Sequence, residues 1–144
     1  AEYDGVMDRN VKSLFFCCQE AGRYMIEQGN GRIVNLSSTL AERGVSNESV
    51  YCASMGAIGQ LTRAMGLEWA RNGITVNGIG TGWYTLEDIS LEQQQEHPLV
   101  RYLPSRRLGQ PHEIVPLLVL LCSDSSSYVN GQTIFVDGGA MTHA

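Results

Sequence analysis

Three short apolar runs limit what this chain can build. Residues 32–38, 74–80 and 132–137 each concentrate Ile, Val, Leu or Phe, and each runs into a Ser- or Gly-bearing turn. The stretches between them carry helical spacing instead. Short buried strands separated by helical crossovers pair in parallel, with both faces of the sheet covered. The pattern predicts an α/β chain in which about three parallel strands, with covering helices, form half of a doubly wound sheet.

The helices can be read in the same way. Val11, Leu14, Phe15, Cys18, Met25 and Ile26 lay an apolar stripe along a first helix that runs through Gln28. Gly29, Asn30 and Gly31 stop it, and Asp4 is its one candidate N-cap. A long helix over about 49–71 contains Gly56, Gly59 and Gly66. Each mid-helix glycine costs about 1 kcal/mol relative to alanine. Their presence predicts close approach of another backbone. Asn72-Gly73 ends this helix. A short helix near 91–96, an irregular stretch over 98–111 and a third helix opened by Pro111 and running to Ser123 complete the pattern. The whole chain, 1–144, reads as one domain.

Charge narrows the partners. Ten basic against fifteen acidic side chains leave a formal charge of −5, which argues against nucleic acid and anionic membrane. No apolar run approaches the ~20 residues of a membrane span. Cys17, Cys18, Cys52 and Cys122 form no C-x-x-C and are expected as buried thiols of a cytoplasmic chain. His97, His112 and His143 are scattered, so no metal site is expected.

Sheets of this kind bind ligands beyond the carboxyl ends of their strands. Ser38 and the Thr81-Gly82 turn both sit at such ends, beside the start of the long helix.

An ordered set of residues resembles the short-chain dehydrogenase/reductase family, whose sheet is Rossmann-like. The set comprises Asn10, then Asn35-Leu36-Ser37-Ser38, then Tyr51 thirteen residues after Ser38. Val76-Asn77-Gly78-Ile79-Gly80-Thr81-Gly82, the stretch from Arg107 to Ile114, and Asp137-Gly138-Gly139 follow in the same order. The resemblance spans the chain and corresponds to the family's C-terminal half. It implies that Ser38 binds a substrate oxygen, that Tyr51 exchanges a proton with it, and that Asn10 organises a proton-relay water. The substrate implied is a small carbonyl or alcohol, and Thr81 and Gly82 would lie on the nicotinamide side. The two long helices would build a subunit interface. Plainer readings stand beside these. Ser37 and Ser38 could satisfy backbone groups, Tyr51 could be a buried aromatic with a satisfied hydroxyl, and Asn10 could bond helix to helix.

Two departures bear on activity. Family members carry Lys four residues after the Tyr, one helical turn on, where it lowers the phenol pKa; here that residue is Met55, and Lys12 is the only lysine. A free phenol, pKa about 10, is only ~0.1% ionised at neutral pH. Bringing that pKa near 7 is worth ~4 kcal/mol, on the order of a thousandfold in rate. Arg43 and Arg63 are the candidate replacements. The nucleotide-binding half, with its Gly-rich phosphate turn, is also missing, and Thr81 stands where the family usually has Pro. The expectation is therefore a degenerate oxidoreductase site that binds no cofactor autonomously, and NAD(P) only with a complementary half. Two alternatives remain: a cofactor-independent hydrolase using Ser38 and Tyr51, with turn amides near Gly82 as oxyanion donors, and a non-catalytic oligomerising module. The first strand would have an open edge, which predicts a homo-oligomer. Arg106-Arg107 reads as a solvated or interface charge pair, and Asp137-Gly138-Gly139 as structural.

Overall fold

The structure is a computed structural model that describes residues 2–87 and 89–142; His143 lies outside them. Three strands, β1 (Gly31–Ser38), β2 (Ile74–Thr81) and β3 (Thr133–Val136), form one parallel sheet in the order β1-β2-β3. The α/β expectation holds, because each apolar run found a parallel neighbour through a helical crossover. The register pairs Gly31 with Ile74 and Ser38 with Thr81, so the carboxyl ends of β1 and β2 finish level.

The first helix is one continuous rod. α1 (Glu2–Met7), a π-helical stretch (Asp8–Lys12) and α2 (Ser13–Gln28) join through residues in right-handed helical conformation. It ends on Gly29 at φ 75°, a left-handed conformation that suits glycine. α3 (Ser49–Trp69) runs into a 3-10 turn, Ala70–Asn72, and stops on Gly73 at φ 73°. A short α4 (Leu91–Gln94) and a 3-10 turn (Pro98–Tyr102) follow β2. Pro111–Ile114 is a 3-10 turn that leads into α5 (Val115–Cys122), which packs on β1.

Two clusters form the core. Cys18, Met65, Ile74 and Val76, flanked by Leu14, Phe15, Leu61 and Trp69, seal α2 and α3 against the sheet. Val100, Leu103, Leu108 and Ala140 gather around Trp83 beyond the strand ends.

Four expectations need correction. Asp4 is inside α1, which has already begun at Glu2; its carboxylate complements the helix N-terminus from the first turn. Of the four thiols only Cys18 is buried, while Cys17 and Cys122 are exposed. Neighbouring residues on a helix point about 100° apart, so Cys17 and Cys18 cannot both face the core. Of the three α3 glycines only Gly66 is crowded: a Cβ there would lie 2.8 Å from Asn130 Oδ1 and 3.1 Å from the Gly131 nitrogen. Finally, Arg107 is not merely solvated. Its guanidinium grips both Glu113 oxygens, at 2.6 and 2.8 Å.

Candidate active site

The level strand ends place Ser38 beside Thr81. Ser38 Oγ accepts the Leu40 N–H at 3.2 Å, capping the 3-10 turn Thr39–Ala41. Ser37 Oγ donates to the Met55 carbonyl at 3.2 Å, and Thr81 Oγ1 donates to the Ser37 carbonyl at 3.2 Å. The Gly82 N–H donates to the Val136 carbonyl at 3.2 Å. A Cβ at Gly82 would lie 2.8 Å from the Asp137 Cα, so glycine is what lets this turn pack against Asp137. The backbone-satisfying roles of the two serines are thus realised in the geometry. They leave Ser38 able to donate its own hydroxyl proton.

Tyr51 is in the first turn of α3 and is 36% exposed. It is not the buried, satisfied aromatic of the plainer reading: among the described residues its hydroxyl makes no hydrogen bond. Asn10 lies in the π-helical stretch, whose widened turn is frequent at functional sites. Asn10 Nδ2 donates to Ser54 Oγ at 2.9 Å, and Ser54 Oγ donates to the Tyr51 carbonyl at 2.7 Å. Asn10 therefore bonds helix to helix, and the bond it makes steadies the turn that carries Tyr51. Ser54 was not singled out from the sequence. Its position three residues after Tyr51, on a neighbouring face, was the available signal.

One turn beyond Tyr51, the Met55 side chain is 6% exposed. A buried thioether holds no charge. Lys12 pairs with Asp8 at 3.2 Å on the first helix. The Arg43 guanidinium donates to the Ala140 carbonyl, and Arg63 faces Glu42 at 3.7 Å. Among the described residues neither arginine hydrogen-bonds Tyr51. Asn10, Asn35 and Met55 also line an open cleft of about 550 Å³ along the free side of β1, together with Leu14, Ile33, Leu36 and Ile58.

The surroundings are firmly held. Cys18 Sγ donates to Asn35 Oδ1 at 3.3 Å, and Asn35 Nδ2 donates to Thr62 Oγ1 at 3.0 Å. Burial, followed by the neighbouring Cys17, pushes the Cys18 thiol up. Tyr84 donates its hydroxyl to the Val136 carbonyl at 2.7 Å, and burial raises its phenol. The Arg107 hydrogen bond, followed by the Gln110 N–H, holds the Glu113 carboxyl down at about 2. Asp137 accepts the Gly139 and Met141 N–H groups at 2.9 and 2.8 Å, the structural role expected of that turn.

A dinucleotide finds no Gly-rich phosphate seat in the β1–α3 connection. Its pyrophosphate needs clustered backbone N–H groups at a Gly-rich strand-to-helix turn. The β1–α3 connection among the described residues carries only Gly44, and Gly56 and Gly59 lie inside α3. Among the described residues no group of His, Cys, Asp and Glu could hold a metal ion, and no helix is long and apolar enough to cross a membrane.

Comparison with known proteins bears on the same residues. The family model described as enoyl-(acyl carrier protein) reductase matches residues 1–141. Gluconate 5-dehydrogenase of Gluconobacter oxydans is 36% identical over 141 residues, covering 96% of this chain and 55% of that protein. The 2-dehydro-3-deoxy-D-gluconate 5-dehydrogenase of Escherichia coli is 37% identical over 142 residues, covering 96% of this chain and 56% of its own length. A crystal structure of a gluconate 5-dehydrogenase from Burkholderia cenocepacia, in complex with NADP and tartrate, superposes with a TM-score of 0.90 at 32% identity; 99% of this chain matches 57% of that one. The chain thus spans little more than half the length of these relatives, and it belongs to the short-chain dehydrogenase/reductase family.

Proposed function

We propose that this chain carries the substrate side of a carbonyl/alcohol oxidoreductase site, and that as a separate polypeptide its NAD(P)-dependent activity is impaired or lost. In this reading Ser38 donates a hydrogen bond to the reacting oxygen of a small carbonyl or alcohol. Tyr51 gives that oxygen a proton or takes one from it, and Asn10 steadies the Tyr51 turn through Ser54. Thr81 and Gly82 border the nicotinamide side. The relatives are named for sugar acids and for acyl-carrier-protein substrates, so the reading stops at the reacting group.

The observation that carries it is the free Tyr51 hydroxyl one turn from a buried Met55. An exposed phenol with no hydrogen bond of its own suits proton exchange, while a thioether gives it no help in ionising. No observation favours ester hydrolysis, because among the described residues no base is hydrogen-bonded to Ser38 Oγ. We further propose that the chain assembles with copies of itself along the free side of β1.

The test is a fluorescence titration with NADH and NADPH. No saturable signal is expected from either nucleotide up to millimolar concentration. Saturable binding by this chain alone would overturn the impaired part of the reading.

A further inference from the structure

We propose that Asn30 is a site of spontaneous deamidation, in which the Gly31 nitrogen displaces the Asn30 side-chain amide with help from Gln28. It concerns the amino end of the sheet and is independent of the oxidoreductase reading, which concerns the end that carries Ser38. Four Asn-Gly pairs occur in the chain, at Asn30, Asn72, Asn77 and Asn130. A glycine after asparagine has no Cβ and the widest backbone freedom, so its nitrogen can approach the preceding side chain. The fold closes that route at the last three. Asn77 is fully buried; its amide donates to the Val129 carbonyl at 2.8 Å, its oxygen accepts the Gln132 N–H at 3.1 Å, and the Gly78 N–H donates to the Gln132 carbonyl at 2.7 Å. Asn130 is held between the Gly66 carbonyl and the Val76 N–H, and the Gly131 N–H donates to the Val76 carbonyl at 2.9 Å. Asn72 ends the 3-10 turn Ala70–Asn72, which the Gly73 N–H closes on the Ala70 carbonyl at 3.1 Å.

Asn30 differs at each atom the reaction uses. It is exposed, in the link between α2 and β1 and outside both. The Gly31 N–H donates to the Gly73 carbonyl at 3.4 Å, the longest of the four glycine bonds and outside the usual range for an N–H donor. Among the described residues Asn30 Nδ2, the nitrogen that must leave, makes no hydrogen bond, while Asn30 Oδ1 accepts Gln28 Nε2 at 2.9 Å. That oxygen gathers negative charge as the nitrogen attacks, so a donor already aimed at it stabilises the transition state. The Gly31 nitrogen gives its proton to hydroxide and bonds to Asn30 Cγ. The Cγ–Nδ2 bond then breaks, and ammonia leaves with a proton from water. Water opens the cyclic imide to aspartate or isoaspartate, with no change of oxidation state. Isoaspartate adds one carbon to the main chain where Gly31 must stay opposite Ile74, and where even a Cβ would collide with Met25. The start of β1, the strand that ends at Ser38, is thereby loosened.

Peptide mapping by mass spectrometry after incubation at mildly alkaline pH tests the assignment. In the folded chain Asn30 is expected to convert roughly five- to tenfold faster than Asn72, as expected for a nitrogen freed of one ordinary hydrogen bond, with Asn77 and Asn130 slower still. In urea the four rates are expected to draw together. Conversion of Asn72 as fast as Asn30, or the same spread of rates in urea, overturns the proposal. Gln28→Met keeps a helix-forming side chain of similar length on the exposed last turn of α2 and removes the donor. It is expected to slow Asn30 roughly threefold. An unchanged or faster rate overturns the part assigned to Gln28, since the bond would then be idle or a restraint. The isoaspartyl fraction is expected to melt below Asn30→Asp, which carries the charge without the extra carbon; equal melting overturns the loosening of β1.

Discussion

Among the described residues Glu113 accepts more hydrogen bonds than any other carboxylate. It receives both Arg107 nitrogens and the Gln110 N–H, and it fixes the turn from which α5 starts. Its carboxyl lies at about 2 when folded, against an ordinary 4.5. A lowered carboxylate contributes stability that is fully present above the unfolded value and is lost as pH falls through the folded one. The loss therefore falls between roughly pH 4.5 and 2. Both side chains are about a third exposed, so screening by water cuts the contribution to about 1–2 kcal/mol. Glu113→Gln is expected to lower the unfolding free energy from urea titration at pH 7 by that amount and to flatten the decline in stability between pH 4.5 and 2. Equal pH profiles for the two proteins would show that the pair contributes nothing to folding.

At the level of elements, the glycines of α3 separate packing from tolerance. Gly66 faces Asn130 and Gly131, and Asn130 in turn bonds the Gly66 carbonyl at 2.8 Å and the Val76 N–H at 2.9 Å. A methyl group there would drive the helix from the β2–β3 connection, so Gly66→Ala is expected to cost about 1–3 kcal/mol. At Gly56 the nearest foreign atom to a Cβ is the Ala41 carbonyl oxygen at 3.6 Å, an ordinary contact. Gly56→Ala is expected to gain about 0.5–1 kcal/mol from helix propensity. Thermal melts of the two variants should move in opposite directions. The same contrast explains what the sequence could disclose. Strand positions and the stops at Gly29 and Gly73 follow from periodicity and local backbone preference, which act within a few residues, and the meeting of Ser38 with Thr81 follows from parallel pairing of the two strands. The π-helical widening at Asn10, the Ser54 link to Tyr51 and the grip of Arg107 on Glu113 depend on which side chain meets which after elements pack. Spacing along the chain does not encode that choice; the exposure of Cys17, by contrast, follows from its place next to the buried Cys18 on one helix.

For the whole molecule, β1 is the element whose surroundings are least complete. It pairs with β2 on one side only, and its other side opens onto the cleft along α2. Natural edges are blunted by lysine, proline or a bulge, and β1 has none of these; its one charged residue, Arg32, turns to the Gly31 and Gly73 carbonyls and to Asp124. Leu36 is 58% exposed on this strand, and α5, which packs against β1, leaves Val119 and Leu120 in water. An eight-residue edge offers roughly 26 Å of unpaired backbone, enough to template a second strand. The proposed self-assembly would remove that edge from solvent by a two-fold pairing, in which the same patch serves both copies. Size-exclusion chromatography with light scattering, run from about 10 to 100 μM, is expected to give a mass of two or more chains. Leu36→Lys places a charge on the same patch and is expected to shift the mass toward one chain with an unchanged circular dichroism spectrum. A single-chain mass for the unmodified protein across that range would show that β1 stands open in solution, and self-assembly would then be withdrawn.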